Sequence, residues 1–193
     1  AQESRGLGDV YKRQGLYREV WLEATAESRL TDLFVYTPTL QEAVVQWTAE
    51  LTPAAAAVRI RLENADGALL AEQTAPVAET GKMQLSVPEA QPWDTEHSVL
   101  HHAIAELLNA AGQPIDRKQV TFGFRTAEFR ADGFYLNGKK TFLRGLNRHQ
   151  SYPYIGYAAP ESLQREDARI LQEELHCTAV RTSHYPQSQY FLD

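Results

Sequence analysis

A single cysteine, Cys177, serves all 193 residues. A lone thiol excludes an internal disulfide framework and any cysteine-based metal site, and it favours a reducing compartment, the cytoplasm. No apolar run approaches the ~20 residues of a membrane span, and no secretory leader is visible at the start. An excess of positive charge is also missing. Nineteen Lys and Arg against 25 Asp and Glu give a formal net charge of −6 with the signs interspersed, which leaves no basic stripe for nucleic acid. There is no Gly-x-Ser-x-Gly elbow for a serine hydrolase, no HExxH pair for zinc and no glycine-rich loop for phosphate.

What remains is an ordinary globular composition, 43% hydrophobic and 23% charged, with period-two patterning over most of its length. The first fourteen residues are the exception. Asp9-Val10-Tyr11-Lys12-Arg13-Gln14 resembles the read-through of a transposon-end adapter used in sequencing libraries. Residues 1–14 are therefore expected to be an artefact, with the native chain a piece that runs from about Gly15 and is cut at its C-terminus as well.

Residues 16–24 read as a strand closing an earlier domain, and residues 30–36 as a second strand stopped by Thr37-Pro38. Val45, Trp47, Ala49 and Leu51 then alternate with polar neighbours, as do Val58, Ile60 and Leu62. Asp66-Gly67 marks a turn before a strand over residues 68–73. Met83, Leu85 and Val87 form another strand, and Pro88 and Pro92 a crossing loop. Ala103, Ala105 and Leu107 face one way, His102, Ile104, Glu106 and Leu108 the other, and Ala111-Gly112 turns the chain toward Val120, Phe122 and Phe124. Six or seven short strands at regular spacing predict a two-sheet β-sandwich.

Beyond Arg125 the pattern changes. Asn137-Gly138 between residues 134–136 and 139–143 is a hairpin signal. Pro160 and Glu161 open an amphipathic helix with Leu163, Ala168, Ile170, Leu171 and Leu175 inward and Gln164, Arg165, Glu166 and Glu173 outward. Residues 142–149 and 179–186 flank that helix, each an apolar run spilling into polar residues, Asn, Arg and His in the first and Arg, Ser and His in the second. Strand, loop, helix, strand is a βαβ unit with parallel strands ~4.8 Å apart. Asn147, Arg148 and His149 then share one sheet edge with Arg181, Ser183 and His184, at strand C-termini where parallel α/β folds and barrels place their sites. His, Arg and Asn together suit sugar hydroxyls. The plainer alternative is that these arginines hold loop carboxylates and each histidine is a surface or packing residue, but two such clusters in register favour a site. His97, His101 and His102 lack such partners and read as structural, and no metal site is expected.

Taken together, Arg144-Gly145-Leu146-Asn147-Arg148-His149-Gln150 and Ala179-Val180-Arg181-Thr182-Ser183-His184-Tyr185-Pro186 resemble glycoside hydrolase family 2, most closely its bacterial β-galactosidases. Phe122-Gly123-Phe124-Arg125 followed by Phe134-Tyr135-Leu136-Asn137-Gly138-Lys139 is similar to that family's crossing from sandwich to barrel, and Gly15-Leu16-Tyr17-Arg18 to the close of its N-terminal jelly roll. The resemblance implies a multidomain chain. Residues 15–27 would be the last jelly-roll strand, 28–127 an all-β immunoglobulin-like sandwich, and 128–193 the first βαβ portion of a (β/α)8 TIM barrel.

It also implies a retaining exo-glycosidase acting on terminal β-D-galactosides, with both catalytic glutamates on strands past residue 193 and this piece inactive alone. His149 and His184 would stabilise the transition state, with Asn147, Arg148 and Arg181 binding substrate. Glu161, Glu166, Glu173 and Glu174 would lie outside the site. Gln150 stands where the family often has Glu, and residues 151–157 also depart from its pattern. No cofactor is implied for this stretch, although the family leaves room for a divalent cation and a homo-oligomer in the full-length enzyme. The alternatives are another family 2 activity, β-glucuronidase or β-mannosidase, or a non-catalytic β-sandwich module that binds a partner or carbohydrate.

Overall fold

The computed structural model describes residues 18–192. The expected artefact at residues 1–14 lies outside them, as does the beginning of the expected jelly-roll strand. The chain divides into two units, one spanning Ala24–Thr141 and the other built from residues 142–192 with residues 18–23.

The first unit is a seven-stranded sandwich with a small appended sheet. Strands β1 (Arg29–Thr39), β2 (Glu42–Glu50) and β5 (Thr80–Ser86) form one sheet in the order β1-β2-β5. Strands β3 (Ala57–Asn64), β4 (Leu69–Pro76), β6 (His101–Leu108) and β7 (Pro114–Phe122) form the other in the order β4-β3-β6-β7, and every neighbouring pair is antiparallel. The alternating residues face each other between the sheets: Val45 and Trp47, Val58, Ile60 and Leu62, Met83 and Leu85, Ala103, Ala105 and Leu107 share one buried cluster with Phe124. Burial of this contiguous apolar surface, at ~25 cal/mol per Å², is the term that holds a disulfide-free sandwich together.

One expectation changes here. The chain does not stop at Thr37-Pro38: β1 continues to Thr39 across a register irregularity between Tyr36 and Thr39. Because β1 is an edge strand, the missing Pro38 N–H interrupts no central ladder. On the other side of β6, Ile104, Glu106 and Leu108 are buried as well. Glu106 is accommodated there by an ion pair with Arg59 at 2.7 Å.

Strands β8 (Ala127–Arg130), β9 (Gly133–Leu136) and β10 (Lys139–Lys140) make a three-stranded sheet in the order β10-β9-β8. Asn137 and Gly138 adopt φ of 52° and 75° at the β9–β10 turn, the left-handed pair a type I′ hairpin requires. The Asn137 side chain also accepts from the Thr126 N–H and donates to the Trp93 carbonyl, both at 2.9 Å, so the turn is pinned to the sandwich. Strand β8 alternates Ala127 and Phe129 with Glu128 and Arg130, but it is only four residues long and all four are exposed, too short a run for periodicity to identify it.

In the second unit, β11 (Gly145–Arg148), α1 (Glu161–Arg169), a π-helical turn (Ile170–Glu174) and β12 (Ala179–Thr182) form the expected βαβ, followed by a short α2 (Gln189–Leu192). β11 and β12 are parallel, in register Gly145↔Ala179, Leu146↔Val180, Asn147↔Arg181 and Arg148↔Thr182. The first strand begins later than the apolar run suggests, because Phe142 and Leu143 precede the ladder and are exposed. Gly145 allows the two backbones to meet: a Cβ there would lie 2.0 Å from the Ala179 carbonyl oxygen. Residues 18–26 form no strand and expose Val20, Trp21 and Leu22, since an extended segment without a hydrogen-bonded neighbour is not a strand.

Candidate functional site

Asn147 and Arg181 sit opposite each other in the ladder and are both exposed. His149 and His184 are exposed, and their rings meet edge to face with centroids 5.3 Å apart and planes at 71°. Tyr185 adds a third ring 6.4 Å from His149, and Tyr157 packs 5.1 Å from Tyr185. The Ser183–His184 peptide is cis. Four polar side chains and two tyrosines therefore gather at the C-terminal end of two parallel strands.

Arg148 behaves differently from its neighbours. Strand alternation turns it toward α1, and it is 5% exposed. Its guanidinium donates to Asp167 at 2.7 and 2.9 Å, to Gln164 at 2.7 Å and to Gln187 at 2.5 Å, while its plane covers the Phe191 ring at 4.0 Å. Four hydrogen bonds and a ring contact hold this guanidinium inside the unit. The guanidinium thus faces α1 and Gln187 in this structure, whereas Asn147 and Arg181 are exposed.

Gln164, expected on the outer face of the helix, is the residue α1 buries, at 2% exposure. Its Oε1 accepts from Arg148, and its Nε2 donates to the Ala159 carbonyl at 3.3 Å. Hydropathy cannot place such a residue, because its burial depends on a partner arginine contributed by another strand. Gln150 is fully buried, its backbone N–H donates to the Tyr185 hydroxyl at 3.0 Å, and its Nε2 has no partner among the described residues. Burial, followed by the adjacent Asp167 carboxylate, pushes the Tyr152 hydroxyl up to about 12. Burial likewise raises Tyr185. Both phenols stay protonated at neutral pH.

The glutamates of α1 and the π-helical turn are committed elsewhere. Glu161 pairs with Arg165 at 2.8 Å, and Glu166, Glu173 and Glu174 surround Arg169 on the exposed face of the helix. Among the described residues, no group of three His, Cys, Asp or Glu side chains is close enough together to hold a metal ion. A cleft of about 370 Å³ in the sandwich, lined by Asp32, Phe34, Gln46 and Lys82 among others, includes none of the candidate residues. Among the described residues no helix is long and apolar enough to cross a membrane.

Two family models match in tandem: "Glycosyl hydrolases family 2" over residues 28–125 and "Glycosyl hydrolases family 2, TIM barrel domain" over residues 127–193. A β-galactosidase of Thermoanaerobacter pseudethanolicus is 37% identical over 93% of this chain and 25% of its own. One from Thermoanaerobacterium thermosulfurigenes is 54% identical over 52% of this chain and 14% of its own. A putative β-glucuronidase of Formosa agariphila is 32% identical over 93% of this chain and 22% of its own. Among solved structures, a β-glucuronidase from Bacteroides uniformis superposes with a TM-score of 0.78 at 28% identity, covering 92% of this chain and 24% of that one. The chain thus spans about a quarter or less of the length of these relatives. Sandwich, barrel start and tandem model matches together make this chain a member of glycosyl hydrolase family 2, covering its sandwich and the beginning of its TIM barrel.

Proposed function

We propose that this chain supplies the sandwich and one wall of the sugar pocket of a retaining exo-glycosidase that hydrolyses terminal β-D-galactosides. The observation that carries this reading is the pairing of His149 with His184 at 5.3 Å above the exposed Asn147–Arg181 step of a parallel ladder. Imidazole both donates and accepts, and Asn and Arg add donors of fixed geometry, a set that grips vicinal hydroxyls. Hydrogen bonds to those hydroxyls that tighten as the ring flattens lower the barrier by several kcal/mol.

In this reading the chemistry belongs to two glutamates on barrel strands beyond residue 193. One attacks the anomeric carbon as the C–O bond breaks, the other protonates the departing oxygen, and water then releases the sugar from the glycosyl-enzyme. The glutamates on α1 and the π-helical turn, tied to Arg165 and Arg169, are not substitutes. Asn147, Arg181, His149 and His184 bind and orient the sugar, while Arg148 holds the strand that carries two of them.

Galactoside is favoured over glucuronide because the relatives at 37% and 54% identity bear β-galactosidase names, against 32% for the putative β-glucuronidase. The β-glucuronidase reading draws support from the Bacteroides uniformis structure. Full-length enzyme assayed on chromogenic β-galactoside, β-glucuronide and β-mannoside separates them. Turnover of the galactoside at least about tenfold above the others is the expected result, and preference for the glucuronide overturns it. The 193-residue chain alone is expected to show no turnover.

A further inference from the structure

We infer that Gln187 and Tyr185 are positioning residues that couple the two histidine-bearing loops into one unit, an inference that rests on the sugar-pocket reading above. A closed circuit of hydrogen bonds runs behind the histidines. Arg148 Nη1 donates to Gln187 Oε1 at 2.5 Å, Gln187 Nε2 donates to the Tyr185 carbonyl at 3.1 Å, and the Tyr185 hydroxyl accepts from the Gln150 N–H at 3.0 Å. Arg148 and Gln150 flank His149 and are both buried, so His149 is the one exposed residue between two anchored neighbours. Tyr185 follows His184 directly, and the Ser183 N–H donates to the Arg148 carbonyl at 3.2 Å on the same seam. Neither histidine loop is held by contacts of its own alone. Each is located by a group on the other, so the 5.3 Å spacing of the rings is a property of the circuit. Displacement of about 1 Å in a positioning group costs on the order of a hundredfold in rate, which gives the coupling a functional consequence.

Two experiments test this. In the 193-residue chain with labelled imidazoles, Gln187→Leu and Tyr185→Phe are each expected to shift the ring resonances of both His149 and His184. Those of His97, His101 and His102 on the sandwich should stay where they are. Movement of only the nearer histidine, or of neither, overturns the coupling. In the full-length enzyme, each variant is expected to lower kcat about tenfold with KM changed less than about twofold, and the double variant to fall no further than the worse single, as expected for residues acting as a unit. Multiplicative losses, or losses in KM alone, overturn it. A full-length enzyme without activity on any β-glycoside, but with both imidazoles shifted, refutes the sugar-pocket reading and leaves the coupling standing.

Discussion

Arg148 and Asp167 are joined by two hydrogen bonds, 2.7 and 2.9 Å long, between the first barrel strand and the first helix. Arg148 is buried and Asp167 half-buried, and the same guanidinium also satisfies Gln164 and Gln187. A strand of four residues and a helix of nine have little apolar surface to share, so this polar hub decides how β11 lies against α1. Breaking a buried pair by removing one partner costs ~3–5 kcal/mol, because the other charge is left desolvated and unpaired.

Arg148→Met is therefore expected to loosen the second unit far more than Asp167→Asn, which keeps an acceptor for the guanidinium. Amide hydrogen exchange across β11 and β12 measures it. Exchange should be faster by about a hundredfold in the arginine variant and by about tenfold or less in the asparagine variant. Equal effects, or none, place the stability elsewhere. The double variant Arg148→Met/Asp167→Asn should lose less than the sum of the single changes.

Removal of either imidazole tests the site directly. His149→Ala and His184→Ala in the full-length enzyme are each expected to lower kcat/KM about a hundredfold, the scale of losing one preorganised donor to the transition state. Arg181→Ala should act in the same direction. Unchanged kinetics in both histidine variants sink the assignment.

The sandwich was largely legible in the sequence, because its strands face a core on one side and so repeat with period two. The paired Asn-Arg-His and Arg-Thr-Ser-His segments were legible for a different reason: a βαβ unit has parallel strands, which brings both clusters to one edge. What lay hidden were residues whose placement depends on a distant partner. Gln164 looks like surface on a helical wheel until Arg148 arrives from β11, and Arg148 resembles a ligand for sugar until Gln164, Asp167 and Gln187 surround it. Strand β8 was hidden because four residues are too few to establish a period, and Pro38 within β1 because only an edge position forgives it.

His101 gives the sandwich a dependence on pH. The side chain is 3% exposed, packs against Phe122 and Phe124 at centroid distances of 5.8 and 4.9 Å, and has no partner for Nδ1 among the described residues. Burial, then the neighbouring His102 charge, holds its pKa below the ordinary histidine value of 6.5. In the unfolded chain His101 takes up a proton near pH 6.5, whereas in the folded chain it does so only at lower pH. The unfolded state is therefore the more protonated between these two values, and stability falls as the pH drops through this window. Urea denaturation followed by tryptophan fluorescence, repeated from about pH 7.5 downward, is expected to show this decline. His101→Phe should flatten it, and an equal slope in the variant removes His101 as its source.

Gly145 sets the distance between the two site-bearing strands. Its φ is not in the left-handed region, so alanine is conformationally acceptable there, and the obstacle is space alone. An added Cβ would stand 2.0 Å from the Ala179 carbonyl oxygen and 2.7 Å from its carbon. Both are backbone atoms in the paired strand and cannot rotate away as a side-chain tip would. Relief requires β12 to retreat at the first rung of a ladder only four rungs long. Overpacking of this kind costs about 1–3 kcal/mol, and the displacement is carried up the ladder to the Asn147–Arg181 step and the histidines beyond it. Gly145→Ala is expected to raise hydrogen exchange at Ala179 and Val180 and to shift both imidazole resonances. In the full-length enzyme it should lower kcat/KM by at least about tenfold, even though Gly145 lies at the other end of the strand from the side chains proposed to bind sugar. If the variant keeps both the imidazole positions and the turnover, the strands are not held at contact distance by this residue, and the spacing of His149 and His184 depends on the loops alone.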